Sequence, residues 1–496
     1  MSAVVATAPI DLIRQREVVA ALRAFLPERV VLFQQEDVKP YECDGLSAYR
    51  QVPMVVVLPE NEAQVQRILR TCFDLRVPVV ARGAGTGLSG GALPLANGVL
   101  LSLAKFMRIL EIDPQARTAR MQPGVRNLAI SEAAAPYGLY YAPDPSSQIA
   151  CSIGGNVAEN AGGMHCLKYG LTVHNILKLR ACTIEGELLE IGGGGLDAAG
   201  YDLLALMTGS EGMLAVITEV TVKLLPTAER AQCVLAAFDD VAKAGHAVAN
   251  IIAAGIIPAG LEMMDKITTG AVEPFVNAGY PLDAAAILLC ESDGNAEEVA
   301  EEIERMKAMM HANGATEVRV SQSEAERYKF WAGRKAAFPA AGRVSPDYYC
   351  MDGTIPKKAL PRVLNAIADL SKAYGLRCMN VFHAGDGNLH PLILYDANQP
   401  GELQKTEEFG AKILKLSIEV GGTITGEHGV GVEKIDSMCV QFRAPELETF
   451  HGVKRAFDEH TLLNPGKAVP TLVRCAELGR MHVHGGQDKF PDLPRF

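Results

Sequence analysis

Four residues in two glycine-rich segments carry side chains that could bind a metal or accept a proton: His383, His390, Glu427 and His428. The two imidazoles of His383 and His390 and the Glu427 carboxylate make a three-ligand site with open positions, typical of zinc, manganese or iron. A hydroxy acid would fill those positions, the metal would polarise its hydroxyl, and His428 would accept the proton. The alternative is that His383 and His390 are core residues satisfied by hydrogen bonds.

The segment that holds the two histidines is predicted to be a β-hairpin. Apolar runs flank a Gly-Asp-Gly-Asn turn at residues 385–388, which is typical of a tight turn between antiparallel strands. The hairpin would bring His383 and His390 close together on facing strands. Asn388, in the turn, is a further candidate for contacting a substrate.

A glycine-rich loop at residues 82–91 is the second strong signal, and its glycines match the GxGxxG pattern of dinucleotide-binding domains. That pattern requires a helix to begin at the glycines. Pro94 and the Asn97-Gly98 turn break any helix there, so the loop joins strand to strand. Its backbone N–H groups could converge on an anion such as a pyrophosphate, with Arg82 adding charge. The alternative is a tight structural turn.

Two further segments, residues 141–163 and 208–214, are rich in glycine, small residues and amides. Such residues let a planar ring system approach the backbone and receive hydrogen bonds. Three segments of this kind in one region predict one large cofactor that is wrapped by several loops.

The elements around these segments predict an α+β protein of two main domains. After an N-terminal helical segment (residues 1–49), a strand, a helix over 62–75 and a second strand begin the first domain, residues 50–228. In the second domain, residues 229–470, strands and helices alternate with hairpin and crossover links, which indicates an α+β sandwich. Residues 471–496 are predicted to be a tail on the surface.

The composition excludes several classes of protein. The 496 residues carry a net charge of −11 and contain no basic cluster, so no nucleic-acid partner is expected. No apolar run approaches the ~18 residues of a membrane-spanning helix, so no direct membrane span is expected. The 11 cysteines are scattered without CxxC spacing, which argues against an iron–sulfur cluster within the chain and indicates a reducing, cytoplasmic compartment.

The three glycine-rich segments resemble, in order, those of the FAD-binding domain of the vanillyl-alcohol oxidase / p-cresol methylhydroxylase family. The matching stretches are GAGTGLSGG, PDPSS…IGGNVAENAGG and TGSEGMLAVITEV. The resemblance implies a PCMH-type FAD-binding domain followed by an α+β substrate domain, the FAD-linked oxidase C-terminal domain. It implies FAD contacts at Arg82, Gly83, Ala84, Gly85, Thr86, Gly87, Leu88, Ser89, Pro143, Ser147, Ser152, Gly155, Asn160, Gly163, Gly212 and Ile217.

Family members that bind flavin covalently often carry a histidine in the first loop. This chain has Ala84 and Thr86 there, so the FAD is expected to be dissociable. In the related dehydrogenases the positions that match His383, His390 and Glu427 bind a metal. His428 matches a histidine on the substrate side.

A small anionic substrate also needs a few placed cations, because the chain as a whole is acidic. Arg334 matches the family's substrate-carboxylate arginine, and its fork would form a bidentate pair. The alternative is a charge on the surface of a helix, as is expected of Lys335. The related 2-hydroxyglutarate enzymes have Asn where this chain has Leu392, which implies a smaller, less polar pocket that favours glycolate or lactate.

The whole chain resembles one branch of the family, the FAD-linked subunits of bacterial glycolate oxidases, with D-lactate and D-2-hydroxyglutarate dehydrogenases more distant. The predicted reaction is oxidation of glycolate to glyoxylate. Electrons are expected to pass to an iron–sulfur partner subunit and on to an acceptor such as quinone. A second flavin-domain-like subunit and peripheral attachment at the inner membrane are also implied. The alternatives are a D-lactate dehydrogenase acting alone and a non-catalytic flavin- or metal-binding regulatory protein.

Overall fold

The computed structural model describes residues 8–195 and 200–471. Apart from residue 471, the tail predicted for residues 471–496 lies outside the described residues. The chain folds into two α+β parts, which confirms the predicted fold class.

The first part contains strands β1 (Val31–Leu32), β2 (Val55–Val57), β3 (Val79–Arg82), β4 (Val99–Ser102), β5 (Ile109–Asp113), β6 (Thr118–Met121), β7 (Leu139–Tyr140), β8 (Ile176–Cys182), β9 (Leu188–Gly192), β10 (Val216–Lys223) and β11 (Leu225–Pro226). Its helices are α1 (Leu12–Arg23), α2 (Gln35–Val38), α3 (Glu62–Leu75), α4 (Asn127–Ala134), α5 (Ile153–Glu159), α6 (Cys166–Tyr169) and α7 (Leu203–Met207). Short 3₁₀ helices lie at Glu28–Val30, Lys39–Tyr41, Ala135–Tyr137 and Thr172–Asn175.

The second part contains strands β12 (Arg230–Phe238), β13 (Gly260–Asp265), β14 (Ala286–Gly294), β15 (Glu317–Val320), β16 (Asp347–Cys350), β17 (Cys378–Phe382) and β18 (Pro391–Tyr395). Its helices are α8 (Val241–Ala253), α9 (Lys266–Val276), α10 (Ala296–Ala312), α11 (Glu324–Val344), α12 (Leu360–Tyr374), α13 (Glu402–Glu419), α14 (Ile435–Gln441) and α15 (Ala444–Phe457), with a 3₁₀ helix at Lys357–Ala359.

The first sheet has the strand order β1-β2-β4-β3, and both β2 and β3 run parallel to β4. Neighbouring parallel strands are usually joined by a crossover helix. Here residues 83–98 cross from β3 to β4 without one. The glycine loop is therefore the strand-to-strand link that Pro94 and the Asn97-Gly98 turn predict, and not a Rossmann turn.

The N-terminal segment shares the core of this sheet. Its strand β1 pairs with β2, with Val31 opposite Val57. Leu22 of α1 is fully buried against Val55 of β2 and Ile68 of α3. Residues 8–49, which were predicted to form a separate N-terminal segment, therefore belong to the first domain.

A five-stranded antiparallel sheet in the order β5-β6-β10-β8-β9 completes the first part. Buried residues of its strands, such as Met121, Leu179 and Val220, pack against Ile130 of α4 and Val157 of α5. This packing fixes the position of α5, whose residues face the cavity described below.

The second part is a seven-stranded antiparallel sheet in the order β15-β12-β14-β13-β17-β18-β16. Successive side chains of a strand point to opposite faces, so Val234 and Ala236 pack into one core while Leu235 and Ala237 pack into the other. Helices α8, α10, α12 and α13 cover the first face, and α9 and α11 cover the second. Strands β13 and β17 lie near the middle of this sheet and carry residues of the site.

After α15 the chain returns to the first domain. Leu463 is fully buried in its core and forms a parallel bridge with Val79 of β3. The Asn464 side chain then donates to the carbonyls of Gly91 (2.9 Å) and Glu211 (2.6 Å). Leu463 and Asn464 thus pack in the first domain, although the predicted boundaries assign them to the second.

Within the two described stretches, every helix is too short or too polar to cross a lipid bilayer.

Candidate active site

A cavity of about 450 Å³ lies between the two domains. The glycine loop and α5 line it from the first domain, and Lys335, Phe338, Tyr348, His390 and His428 line it from the second. The predicted cofactor loops therefore share one space with His390, Glu427 and His428, whereas His383 is not part of the lining.

Most of the predicted FAD contacts line this cavity: Arg82, Gly83, Ala84, Gly85, Thr86, Gly87, Leu88, Ser147, Ser152, Gly155, Gly212 and Ile217. Four do not, namely Ser89, Pro143, Asn160 and Gly163. Asn160, for example, ends α5 in a left-handed conformation and accepts a hydrogen bond from the Val173 N–H at 2.9 Å. All sixteen assignments stay predictions.

Two glycines show why the wall is built from this residue type. A Cβ atom at Gly83 would collide with the Ser152 hydroxyl. Gly85 has φ +71°, a left-handed conformation that side chains disfavour, and a Cβ there would strike the Arg82 guanidinium. Arg82 itself is held by a hydrogen bond from Nη1 to the Cys43 carbonyl at 2.7 Å.

The cavity wall also carries unsatisfied polar groups. Ser152 Oγ and Glu159 Oε2 are buried, line the cavity and have no hydrogen-bond partner among residues 8–195 and 200–471. Part of the second glycine-rich segment is helix α5, where a loop was expected. Gly154 lies in its first turn, where a Cβ atom would collide with Pro123. A glycine cradle with free donors and acceptors fits a large polar cofactor such as FAD.

The predicted hairpin is present as β17 and β18, which are antiparallel, with Asn380 opposite Pro391. His383 directly follows β17 and His390 directly precedes β18, so they flank the turn and do not lie within the strands. Their ring centroids are 5.0 Å apart. The two histidines are thus brought together as predicted, at the turn end of the hairpin.

The Glu427 carboxylate completes this cluster. Its Oε1 lies 3.3 Å from His383 Nε2 and 3.1 Å from His390 Nε2. Burial would lower the pKa of His383, but the charges of Glu262 and Glu427 outweigh burial and raise it well above its usual range. Burial would likewise raise the pKa of Glu427, but the two imidazoles hold it well below its usual range.

The cluster also fits a divalent ion. The candidate ligand atoms of His383, His390 and Glu427 lie within 4.8 Å of one another. Both ring nitrogens of His390 are buried and make no aligned hydrogen bond within the described part of the chain. Asp352, His390 and His428 form a second, overlapping group of possible ligands.

Asp352 is a residue that sequence reasoning missed. It is fully buried just beyond β16, and its Oδ2 accepts hydrogen bonds from the backbone N–H groups of Gly426 (3.0 Å) and His428 (2.9 Å). It therefore fixes the loop that carries Glu427 and His428. The one local signal is an acidic residue before Gly353 at the end of a strand.

His428 is placed to accept a proton. Its ring stacks on that of His390, with centroids 4.8 Å apart and planes 3° apart, and it lines the cavity. Its Nδ1 is buried without a hydrogen-bond partner among the described residues. Burial lowers the pKa of His428 to about 4, so the imidazole is neutral near pH 7.

Arg334 is fully buried and does not lie at the surface of its helix. Its Nε contacts Glu262 Oε2 at 2.6 Å, while Nη1 and Nη2 have no partner in the described stretches. Arg334 lies behind the cavity lining. Lys335 is exposed, as expected of a solvated charge, and it also lines the cavity. Asn388 is also behind the lining and packs against Gly426.

The pocket-size argument based on Leu392 is wrong. Leu392 is fully buried in the core between the sheet and α11, with neighbours such as Met379 and Phe330, and it does not line the cavity. Phe338 and Tyr348 limit the space beside the histidines instead. The Phe338 ring lies 6.4 Å from His390 and 5.9 Å from Tyr348.

Comparison with known proteins finds two family models in this chain. Residues 53–192 match "FAD binding domain", and residues 227–468 match "FAD linked oxidases, C-terminal domain". The solved structure of p-cresol methylhydroxylase with substrate bound has a TM-score of 0.79 at 16% identity, covering 94% of this chain and 99% of that one. A 4-ethylphenol oxidase from Gulosibacter chungangensis has a TM-score of 0.78 at 17% identity, covering 94% and 100%.

Curated relatives are much closer in sequence. Glycolate oxidase subunit GlcD of Escherichia coli K12 is 65% identical over 97% of this chain and 96% of its own length. GlcD of Bacillus subtilis is 39% identical over 86% and 91%. A D-lactate dehydrogenase of Archaeoglobus fulgidus is 32% identical over 84% and 92%.

The substitution Gly83→Ala tests the glycine cradle. Because the added methyl would collide with Ser152, overpacking should cost about 1–3 kcal/mol, and FAD affinity should fall roughly tenfold. Titration of the apoprotein with FAD, followed by flavin fluorescence, measures this. Gly270→Ala, in open space on α9, is the matched control. Equal FAD affinity in both variants would contradict the assignment of the cradle.

Proposed function

Because this chain belongs to the family of FAD-linked oxidases, we propose that it oxidises glycolate to glyoxylate with a dissociable FAD. The observation that carries the proposal is the single cavity that joins the glycine cradle to His390, Glu427 and His428. The relatives named glycolate oxidase subunit, 65% and 39% identical over most of their length, support glycolate as the substrate.

The reaction removes a hydride from C2 of glycolate and a proton from its hydroxyl. FAD, when bound, supplies the acceptor for the hydride. His428 takes the hydroxyl proton at Nδ1, which is free of other hydrogen bonds within the described residues. Because burial keeps this imidazole neutral, one of its nitrogens is unprotonated at neutral pH, as a general base requires. Asp352 holds the backbone of His428 in place during the transfer.

His383, His390 and Glu427 would hold a divalent ion such as zinc, manganese or iron. When bound, the ion would supply Lewis-acid polarisation of the hydroxyl. The unsatisfied nitrogens of His390 support this assignment.

Arg334 is proposed to anchor the substrate carboxylate. Its Nη1 and Nη2 groups, which are buried behind the cavity lining and have no partner among the described residues, form a fork that suits bidentate binding of a carboxylate. Lys335 adds a positive charge to the lining of the cavity. In a chain with net charge −11, these two local cations would attract an anionic substrate.

The decisive experiment is anaerobic addition of glycolate to the yellow holoprotein. The flavin absorbance should bleach, and His428→Ala should keep its FAD but be reduced ~10²–10⁴-fold more slowly, because a general base is lost. The exposed His246, replaced by Ala, is the control. Unchanged reduction of His428→Ala would remove this residue as the base. A colourless protein that takes up no FAD would favour the non-catalytic alternative.

The D-lactate dehydrogenases among the relatives make D-lactate the rival substrate. D-Lactate is larger than glycolate by one methyl group, and Phe338 and Tyr348 limit the space beside His390. Phe338→Ala should therefore raise kcat/KM for D-lactate relative to glycolate by about tenfold. Phe450→Ala, which is also half-buried but distant from the cavity, should leave the ratio unchanged. A wild-type preference for D-lactate would overturn glycolate as the substrate.

The electrons must then leave the chain, and we propose an iron–sulfur partner subunit as the acceptor, with a second flavin-domain-like subunit in the same complex. The relatives named as subunits support a multi-subunit enzyme, and the sequence has no CxxC pair for a cluster of its own. Contact with the inner membrane would then be made through these partners.

Glycolate-dependent quinone reduction tests the partner. The isolated chain should be bleached by glycolate but should reduce quinone far more slowly than the complex purified through this chain, which should contain iron. Equal rates of quinone reduction by chain and complex would overturn the partner proposal and leave the glycolate reaction intact.

A further inference from the structure

We infer that Glu262 is a positioning residue that couples the carboxylate-binding arginine to a histidine of the metal site, an inference that rests on the proposed function. Glu262 lies on β13 and is 1% exposed. Its Oε2 lies 2.6 Å from Arg334 Nε, and its Oε1 lies 2.7 Å from His383 Nδ1. One carboxylate therefore holds both residues, with one oxygen for each.

The contact with His383 determines which ring nitrogen faces the cluster. Glu262 Oε1 accepts a hydrogen bond from Nδ1 of His383, so that nitrogen carries a proton. Nε2 of His383 then faces Glu427 Oε1, 3.3 Å away. A carboxylate behind a metal-binding histidine fixes its tautomer and ring orientation. Glu262 thus prepares Nε2 of His383 as a ligand atom.

The contact with Arg334 determines which donors remain for a substrate. Because Nε is engaged by Glu262, Nη1 and Nη2 are left without partners among the described residues. Glu262 also supplies the negative charge that a fully buried guanidinium requires. The Glu262 side chain therefore determines which Arg334 groups can bind the substrate carboxylate. It also determines which nitrogen of His383 can bind the metal that would receive the substrate hydroxyl.

Three separate elements meet at this carboxylate. Glu262 is on β13, Arg334 on α11, and His383 follows β17, which pairs with β13 through Met263 and Phe382. The backbone N–H of Gly385 donates to the Leu261 carbonyl at 2.9 Å, which fixes the turn of the hairpin against β13. The position of Glu262 is therefore defined by the sheet itself.

The chain offers a matched control on the next strand. Glu291 of β14 is 2% exposed and also bridges an arginine and a histidine, with Arg327 Nη1 at 3.0 Å and His165 Nε2 at 3.5 Å. None of these three residues belongs to the cluster of His383, His390 and Glu427 or lines the cavity. Loss of Glu291 removes one acidic partner of Arg327, which keeps Glu324 at 2.8 Å, so this variant controls for the loss of a buried carboxylate that contacts a histidine.

The experiment compares Glu262→Gln with Glu291→Gln in the holoprotein. Glutamine keeps the shape, but its amide group cannot accept from both partners. Oxalate, a two-carbon dicarboxylate without a hydrogen to lose, is titrated and followed by the flavin spectrum. Mn²⁺ is titrated and followed by its electron paramagnetic resonance signal. In Glu262→Gln, both affinities should fall 10–100-fold while FAD affinity is unchanged. In Glu291→Gln, all three affinities should stay at the wild-type level.

If both variants lose stability but keep wild-type affinity for oxalate and Mn²⁺, Glu262 is only structural and the inference is overturned. If Glu262→Gln does not fold, Glu262→Asp takes its place, with the same losses expected and wild-type affinities again overturning the inference. If the wild type binds no Mn²⁺, the oxalate affinity alone decides. Failure of glycolate to bleach the wild type would instead overturn the proposed function, and the Mn²⁺ titration would then decide whether Glu262 orients His383.

Discussion

The site depends on one largely buried negative charge, the Glu427 carboxylate, held between the imidazoles of His383 and His390. A buried carboxylate is stable only where cations or a metal compensate its charge. That requirement draws the hairpin and the loop after α13 together. It also involves the first domain, because Gly162 approaches so closely that a Cβ atom there would strike Glu427 Oε2. The charge in the second domain is thus enclosed by a glycine of the first.

A second buried carboxylate, that of Glu211, connects the loop that carries His428 to the first domain. Both oxygens of Glu211 accept hydrogen bonds at 2.7 Å, from the N–H groups of Val430 and Gly431. At the end of the cradle, the carbonyl of Gly91 accepts a hydrogen bond from Lys467 Nζ at 2.9 Å. Residues just beyond His428 are therefore tied to the loops that line the cofactor cavity. A change in either loop would be transmitted to the other through short, buried polar contacts.

The parts of the fold and site that local sequence determines could be predicted. Pro94 forbids a helix after the glycine loop, and the Gly-Asp-Gly-Asn turn gives the hairpin that joins His383 to His390. Glu262 and Asp352 could not be found, since each acts on residues more than 70 positions away. Leu392 was assigned to the pocket from the resemblance to the 2-hydroxyglutarate enzymes. In this chain Leu392 shares a face of β18 with Leu394, and that face packs into the core.

The return of the chain to β3 bears on how the protein is made. The first sheet gains its final strand-like neighbour, Leu463, near the end of the described chain. During synthesis on the ribosome, the first domain emerges early yet lacks this neighbour until residue 463, more than 380 positions after β3, has been translated. Pairing between such distant residues forms slowly. Because the glycine loop begins where β3 ends, loading of the cofactor is expected to be a late event, after Leu463 has joined the first sheet.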